Sequence, residues 1–291
     1  KWTGLSFSGL IFLMEFYEIC KNMPHGFFCR TKEFFKKTIL FFVVGFAIYF
    51  SIFAVHFALL PNSGQGDDFM SSAFQKTLSH SRYENDQNLH APSLLKKFIE
   101  INVEMYAVNA RMNADHQYSS KWYTWPLMQR PVFYWQGSVN DGDASRSYIY
   151  FIGNPIIYWL SSGAVAVLFL FLFWKFFNFL KSKIFHNKYV GKSRDNFIFI
   201  FIMFGFLINF LPFVFIGRVM FLYHYGGALI FSMISLILAI DLLNNKTVRN
   251  ILFGAILVAS ISLFIFFAPL TYGIPLSSSQ LDDRMWFQIW L

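Results

Sequence analysis

The stretch Phe197–Phe215 reads FIFIFIMFGFLINFLPFVF and contains no charged side chain. A helix needs about 20 consecutive apolar residues to cross the hydrocarbon core of a bilayer, and this stretch is close to that length. Similar stretches recur along the chain, so the sequence predicts an all-α membrane protein with one long extracytoplasmic loop that contains an amphipathic helix. The six predicted spans are about 2–20, 38–60, 155–180, 196–217, 219–243 and 250–270.

The composition of the whole chain supports a membrane location. Hydrophobic residues make up 56% and charged residues 14%, and the mean hydropathy is +0.45. A soluble core cannot bury the apolar surface of 40 Phe and their neighbours in a chain of this size, so lipid must cover much of it. The net charge of +8 does not indicate a nucleic-acid partner, because the Lys and Arg residues cluster beside the apolar stretches.

The Lys and Arg positions also predict orientation, since short cytoplasmic loops carry an excess of positive charge. Residues 1–60 are expected to form two spans with a basic cytoplasmic loop, and residues 61–154 an extracytoplasmic loop. Residues 155–291 are expected to form four spans and an extracytoplasmic tail. More than half of all Lys and Arg fall on the predicted cytoplasmic side, namely Lys21, Arg30, Lys32, Lys36, Lys37, Lys175, Lys181, Lys183, Lys188, Lys192, Arg194, Lys246 and Arg249.

The long loop is nearly neutral, with eight Lys/Arg against nine Asp/Glu, so it is expected to fold rather than to bind polyanions. Apolar residues recur in it at spacings of three and four, which predicts an amphipathic helix after Pro92-Ser93. This helix is expected to lie on the membrane surface or under the rest of the loop. Its predicted apolar face is Leu94, Phe98, Ile101, Met105, Val108 and Met112.

Aromatic side chains crowd between Trp122 and Tyr158. Tyr and Trp are enriched at membrane–water interfaces, so interfacial anchoring explains this composition without a ligand. Stacking of such a ring on a sugar remains the alternative.

Arg218 is the leading candidate for a binding residue. It lies between the fourth and fifth predicted spans, at the extracytoplasmic face, and Tyr223-His224-Tyr225 follow it. A guanidinium with five N–H donors suits a phosphate diester near the lipid headgroups, whereas an isolated arginine at a helix end can also be a snorkelling interfacial residue. Arg130 is a further candidate, because the stiff segment around Pro126 can present it towards the membrane.

Other polar residues are weaker candidates. His56, near the outer end of the second span, is either a structural hydrogen-bonding residue or a catalyst. Asp67 and Asp68 follow a Gly-rich turn, in which an Asp usually serves local backbone hydrogen bonds, although paired carboxylates can also bind a cation or act as a base. The sequence shows no phosphate-binding loop and no Cys/His metal spacing, so we predict no metal and no cofactor. Cys20 and Cys29 form no disulfide framework.

Several segments, in order along the chain, resemble the carboxy-terminal half of the protein O-mannosyltransferases, which use dolichyl-phosphate-mannose. The matching segments are Lys1–Leu5 (KWTGL), His56-Phe57, Gly64–Gln75 (GQGDDFMSSAFQ), Ser119–Leu127 (SSKWYTWPL) with Arg130-Pro131, Gly153-Asn154-Pro155, Gly217-Arg218 with Phe221–Tyr225 (FLYHY), and Pro269–Leu276 (PLTYGIPL).

The resemblance implies transfer of mannose from a polyprenyl phosphate donor to Ser or Thr hydroxyls of an acceptor protein, with inversion, at a membrane lipid surface. It implies that Arg218, Tyr223, His224 and Tyr225, with Arg130, lie near the lipid phosphate. The acidic pair that the family uses in catalysis lies in an amino-terminal outer loop that this chain does not contain. The base role is therefore not assigned to Asp67, the catalytic residues are unknown, and the fragment is expected to be inactive alone.

Two departures from the family pattern matter. The loop has no room for the sugar-binding-like module of fungal and animal members, so a bacterial cell membrane is favoured over the endoplasmic reticulum. Where relatives have His-His-Tyr-Leu-Pro, this chain continues from His224-Tyr225 to Gly226-Gly227, and Gly loosens a helix. The alternatives are a transporter or flippase for a lipid or an anionic solute, and a non-catalytic membrane scaffold.

Overall fold

A computed structural model describes residues 4–21, 27–111, 115–137, 145–184 and 193–290, with the backbone alone at 27–30, 182–184 and 193–196. Several residues named above lie outside the described residues or outside the described side chains. These are Lys1, Trp2, Thr3, Cys29, Arg30, Met112, Lys183, Lys188, Lys192 and Arg194.

The described chain is mostly helical, which confirms the predicted all-α membrane fold class. It also contains one pair of short strands that the sequence analysis did not predict. The elements are α1 Leu5–Lys21, α2 Phe27–Leu59, α3 Ser72–Gln75, α4 Leu94–Arg111, β1 Val132–Gln136, β2 Tyr148–Phe151, α5 Pro155–Ile184, α6 Ser193–Phe210, α7 Gly226–Asp241, α8 Lys246–Tyr272 and α9 Ser278–Asp282.

Five helical segments of the described chain are long and apolar enough to cross a bilayer, and the protein is an integral multi-pass membrane protein. The first predicted span, 2–20, corresponds to α1, whose 17 residues fall just short of that length. α2 begins earlier than the predicted span because its helix continues through the basic residues before Thr38. The five segments are Thr31–Leu59, Pro155–Lys181, Phe197–Phe215, Leu222–Asp241 and Lys246–Tyr272.

The chain divides into two compact units. The bundle unit comprises Lys1–Met14 and Ala114–Leu291, and the helix-pair unit comprises Glu15–Asn113.

Within the bundle unit, α7 packs against α5 and α6. Small residues allow this close approach, as is common between membrane helices. Ser161 and Ser232 are fully buried where α5 meets α7, and the Ser232 hydroxyl donates to Ser161 Oγ at 3.1 Å. On the other side, the backbone of Gly205 lies under the ring of Phe231, where a Cβ would come within 2.3 Å of a ring carbon.

A buried polar contact ties the first turns of α1 to α6. Ser6 Oγ donates to Asn209 Oδ1 at 2.7 Å, and Asn209 Nδ2 donates to the Gly205 carbonyl at 2.9 Å. Gly227, in the first turn of α7, faces the same amide, since a Cβ there would come within 2.8 Å of Asn209 Oδ1. Gly227 therefore leaves room for a buried asparagine.

The antiparallel strands β1 and β2 pair Val132 with Phe151 and Gln136 with Tyr148. The chain after α8 extends this pairing, because the Arg146 amide donates to the Leu276 carbonyl and the Leu276 amide donates to the Arg146 carbonyl, both at 2.9 Å. α8 ends at Gly273, whose φ of +67° is the left-handed conformation that glycine adopts at helix ends.

In the helix-pair unit, α4 packs on α2 through Phe98, which is buried. Asn102 adds a polar contact by accepting a hydrogen bond from the Tyr49 hydroxyl at 2.5 Å. Of the predicted apolar face, Leu94 and Met105 are 42% exposed, so this face is only partly covered. The Phe98 ring contacts the rings of Phe46, Tyr49, Phe50 and Phe53.

Candidate functional site

The leading candidates lie on the α6–α7 connection, which we define as residues 216–225. α6 passes into the 3-10 turn Leu211–Phe215, which contains Pro212, and a second 3-10 turn, Leu222–Tyr225, leads into α7. The connection is held to the preceding aromatic segment by a backbone hydrogen bond from the Ser120 amide to the Met220 carbonyl at 2.8 Å. The middle of the connection is therefore fixed by a backbone contact, and its last four residues form a 3-10 turn.

Trp125 packs against the connection through the ring of His224. Its side chain is fully buried, and its indole N–H donates to Ser120 Oγ at 2.9 Å. The indole stacks on the imidazole of His224, with centroids 5.9 Å apart and planes 14° apart. The ring of Phe213 meets both Trp125 and His224 edge-on. A rigid, dry surface therefore lies under one face of the His224 ring.

His224 is half-buried and is held by its own turn. His224 Nδ1 forms a hydrogen bond with the backbone of Phe221, whose amide nitrogen lies 3.2 Å away and whose carbonyl oxygen lies 3.0 Å away. The ring of Tyr223 stacks on it at 4.5 Å between centroids. The imidazole is thus fixed by one backbone hydrogen bond and by rings on two sides, which is the kind of support that a positioned donor requires.

Tyr223 is 42% exposed and belongs to a surface of phenols and rings. The ring of Phe151 on β2 meets Tyr223 edge-on at 6.2 Å. Burial, and then the proximity of Tyr223, raise the pKa of Tyr134 on β1. Burial, followed by Tyr118 and Tyr148, raises the pKa of Tyr150 to about 12. The strand phenols Tyr134 and Tyr150 are consequently neutral hydrogen-bond donors at neutral pH.

Tyr225 points in a different direction from its two neighbours. It is fully buried, and its ring lies 5.8 Å from both Tyr158 and Phe210 inside the bundle. Its hydroxyl faces the side chains of Ser162 and Ser232 on α5 and α7. Tyr225 therefore contacts the helix core, whereas Tyr223 contacts the surface.

The two candidate arginines also lie in the bundle unit. Arg218 is half-buried in the α6–α7 connection. Arg130 is exposed and directly precedes Pro131, which is fully buried and fixes the chain at that point.

Asn154 has a clear structural role. Its Oδ1 accepts from the Ile157 amide at 3.4 Å at the start of α5, and its Nδ2 donates to the Ser260 carbonyl of α8 at 2.7 Å. The Gly153-Asn154-Pro155 segment thus joins the beginning of α5 to the middle of α8.

His56 and Asp67 lie in the helix-pair unit. His56 is exposed in the last turn of α2, against Phe57. Asp67 accepts hydrogen bonds from the Ser63 hydroxyl and from the Gly64 amide, the latter at 2.9 Å. Both of these contacts are local, as in a turn that an aspartate stabilises.

His116 is a residue that the sequence analysis missed. Its exposed ring meets the edge of Phe221 at 5.0 Å between centroids, so it joins the surface around the α6–α7 connection. It lies three residues before the Ser119–Leu127 segment, and that proximity is the signal that could have drawn attention to it.

A bundle of lipid-spanning helices, with a supported histidine, an exposed tyrosine ring and an arginine at the α6–α7 connection, defines the class: a multi-pass membrane protein with a cationic and aromatic surface. The chain belongs to the protein O-mannosyltransferase family. The family model described as the C-terminal four TMM region of protein-O-mannosyltransferase matches residues 94–290, which confirms the resemblance seen in the sequence.

Named relatives agree with this assignment. The chain is 30% identical to dolichyl-phosphate-mannose–protein mannosyltransferase 5 of Candida albicans, over 68% of this chain and 28% of that protein. It is 27% identical to protein O-mannosyl-transferase 1 of Danio rerio, again over 68% of this chain and 28% of that protein. It thus spans less than a third of the length of these relatives.

A solved structure is also similar. It is the Saccharomyces cerevisiae protein O-mannosyltransferase Pmt1-Pmt2 complex bound to the sugar donor. The similarity has a TM-score of 0.55 at 25% identity, and it covers 69% of this chain and 27% of the matched chain.

Proposed function

We propose that this chain is the carboxy-terminal membrane part of a polyprenyl-phosphate-mannose-dependent protein O-mannosyltransferase. The observation that carries the proposal is the family match over residues 94–290, which includes the whole α6–α7 connection. The names of the relatives supply the donor and the acceptor class, dolichyl-phosphate-mannose and protein.

In the proposed reaction, the oxygen of an acceptor Ser or Thr hydroxyl attacks the anomeric carbon of mannose. The bond from that carbon to the phosphate oxygen breaks, the configuration inverts, and polyprenyl phosphate leaves. A carboxylate takes the proton from the hydroxyl, and we assign that base to a part of the enzyme outside this chain. The proposed role of this chain is to bind the phosphate group and to stabilise the negative charge that the phosphate gains as the bond breaks.

Arg218, His224 and Tyr223 are the proposed phosphate-end residues, with Arg130 as a further cation. The support for this set is that Arg218, Tyr223 and His224 lie on one backbone connection, and that His224 is held in place by Trp125. For Tyr225 we propose a positioning role, since its burial against Tyr158 sets the turn that carries His224.

The proposed site lies at the extracytoplasmic surface of the membrane, as the distribution of Lys and Arg predicts. The relatives named above come from a fungus and a fish, so they give no support to a bacterial cell membrane. We therefore propose only that the host membrane carries a polyprenyl-phosphate-linked mannose on the side that faces the acceptor proteins.

The test is mannose transfer by the enzyme expressed from the natural gene, with Arg218→Ala as the variant. Charge-assisted hydrogen bonds contribute about 1.5–3 kcal/mol, so loss of the guanidinium should lower kcat/KM for the donor by about 10- to 100-fold. The assay follows labelled mannose from polyprenyl-phosphate-mannose into a Ser/Thr peptide.

Arg249→Ala is the matched control. Arg249 forms an ion pair with Asp241 at 3.5 Å at the opposite end of α7 and α8, and exposed pairs of this kind contribute little. Transfer that is unchanged in Arg218→Ala would remove Arg218 from the site. Lipid or anion flux in proteoliposomes, with no transfer at all by the wild-type enzyme, would instead favour the flippase alternative.

A further inference from the structure

His116 lies on the same surface as the α6–α7 connection, although it comes from a different part of the chain. Its ring meets the edge of Phe221 with planes 83° apart, while the planes of Phe221 and His224 differ by 14° at 6.5 Å between centroids. Phe221 is therefore in contact with two imidazoles. The His116 ring also contacts the ring of Tyr118, with centroids 6.0 Å apart.

The backbone fixes the proton arrangement of the His116 ring. The Tyr118 amide donates to His116 Nδ1 at 3.2 Å. A nitrogen that accepts a hydrogen bond cannot carry the proton, so in the neutral ring the proton sits on Nε2. Nε2 points away from the Tyr118 amide, and the side chain is exposed. The ring is thus oriented as an N–H donor directed outward.

His224 also contacts backbone through Nδ1. This atom lies 3.2 Å from the Phe221 amide nitrogen and 3.0 Å from the Phe221 carbonyl oxygen, so it accepts from the amide in one tautomer and donates to the carbonyl in the other. Two imidazoles therefore lie against one phenylalanine of the α6–α7 connection, which also carries Arg218.

We propose that His116 is an additional phosphate-binding residue of this enzyme, and that its Nε2–H donates to an oxygen of the polyprenyl phosphate group. The inference rests on the proposed function, since it names a further contact with the same lipid donor. A hydrogen bond to a charged oxygen is stronger than one to a neutral oxygen, so a phosphate oxygen suits this donor better than a sugar hydroxyl does. The nearest carboxylate in sequence is Asp115, which is exposed beside His116.

Two amide substitutions separate a binding role from a structural one. An Asn side chain reaches the position of Nδ1, where its oxygen can still accept from the Tyr118 amide, but it has no donor at the position of Nε2. A Gln side chain places its N–H₂ donor at about the reach of Nε2. If His116 binds phosphate, His116→Gln should behave like the wild type, and His116→Asn and His116→Ala should not.

The experiment measures binding of polyprenyl phosphate to the enzyme expressed from the natural gene, in phosphatidylcholine nanodiscs, with unphosphorylated polyprenol as the reference lipid. We expect Kd for polyprenyl phosphate to rise about tenfold in His116→Asn and His116→Ala, and to change less than about threefold in His116→Gln. Kd for polyprenol should not change in any of the three. His90→Ala, which removes another exposed histidine in the helix-pair unit, is the control and should match the wild type.

Three other outcomes would overturn the inference. Equal affinity of His116→Asn and the wild type, with a loss only in His116→Gln and His116→Ala, would mean that the ring merely caps the turn, and would overturn the inference. Tight binding by the wild type with no change in any variant would overturn it as well, while leaving the proposed function intact. A wild-type enzyme that does not distinguish polyprenyl phosphate from polyprenol would overturn both the inference and the proposed function.

Discussion

At Gly153 the backbone passes directly under the ring of Tyr158, one turn into α5. A Cβ at this position would lie 2.2 Å from a carbon of that ring. Tyr158 is 4% exposed and packs against Tyr225. Tyr225 is the last residue of the turn that contains His224, and α7 begins directly after it. The missing side chain at Gly153 therefore influences the candidate site through two tyrosine rings.

We predict that Gly153→Ala destabilises the protein by about 1–3 kcal/mol, because a buried ring must move to admit the methyl group. Gly163→Ala, within α5, is the control, since a Cβ there meets nothing within 4 Å and alanine favours a helix. The measurement is the thermal unfolding midpoint in detergent, which should fall for the first variant and stay level or rise for the second. Equal midpoints would show that Tyr158 can move freely.

At the scale of single residues, sequence reasoning predicted the candidate residues but not the directions in which their side chains point. It grouped Tyr223, His224 and Tyr225 because they are consecutive, whereas the turn directs Tyr225 into the core. It named Asn154 from the family pattern, and the structure adds the two hydrogen bonds that occupy its amide. It missed His116, because contact with Phe221 joins positions about a hundred residues apart.

At the scale of elements, hydropathy predicted the spans because the preference of an apolar stretch for lipid is a local property of the sequence. The strands β1 and β2 are five and four residues long, and their aromatic composition also fits an interfacial segment. Their pairing, and the bonds from Arg146 to Leu276, depend on contacts distant in the sequence. Such contacts have no periodic signal, so the hairpin could not be predicted.

The contact of α1 with α6 and α7 provides a prediction at this scale. Gly227→Ala should displace the Asn209 amide, weaken its bond to Ser6 and lower stability by about 1–3 kcal/mol. The same substitution should lower stability by clearly less in an Asn209→Ala background, because the clashing amide oxygen is then absent. Chemical unfolding of the four proteins of this double-mutant cycle measures the coupling.

Gly226→Ala is the control for this cycle, since a Cβ at the preceding glycine meets nothing within 4 Å. If Gly227→Ala is equally harmful with and without Asn209, the close approach seen in the structure does not set the packing of α7.

At the scale of the whole molecule, the distribution of charge predicts that the residues after α8 and those between α7 and α8 lie on opposite sides of the membrane. Ser279 on α9 and Asn244 before α8 are both exposed, so each can be replaced by cysteine as a reporter. The native Cys20 and Cys29 are first changed to serine.

In sealed vesicles with the extracytoplasmic side outward, a membrane-impermeant maleimide should label Ser279→Cys and leave Asn244→Cys unlabelled until detergent is added. The reverse pattern would place the α6–α7 connection on the cytoplasmic side, and with it the site that the proposed function requires.

The indole N–H of Trp290 donates to the carbonyl of Met128 at 3.1 Å, across 162 positions of sequence, and the ring is fully buried. Every helix from α5 to α8 is therefore synthesised between the two partners of this bond. The loop around Met128 lacks this contact while those helices are being translated. Its packing is completed only when a tryptophan from a distant part of the chain docks against it.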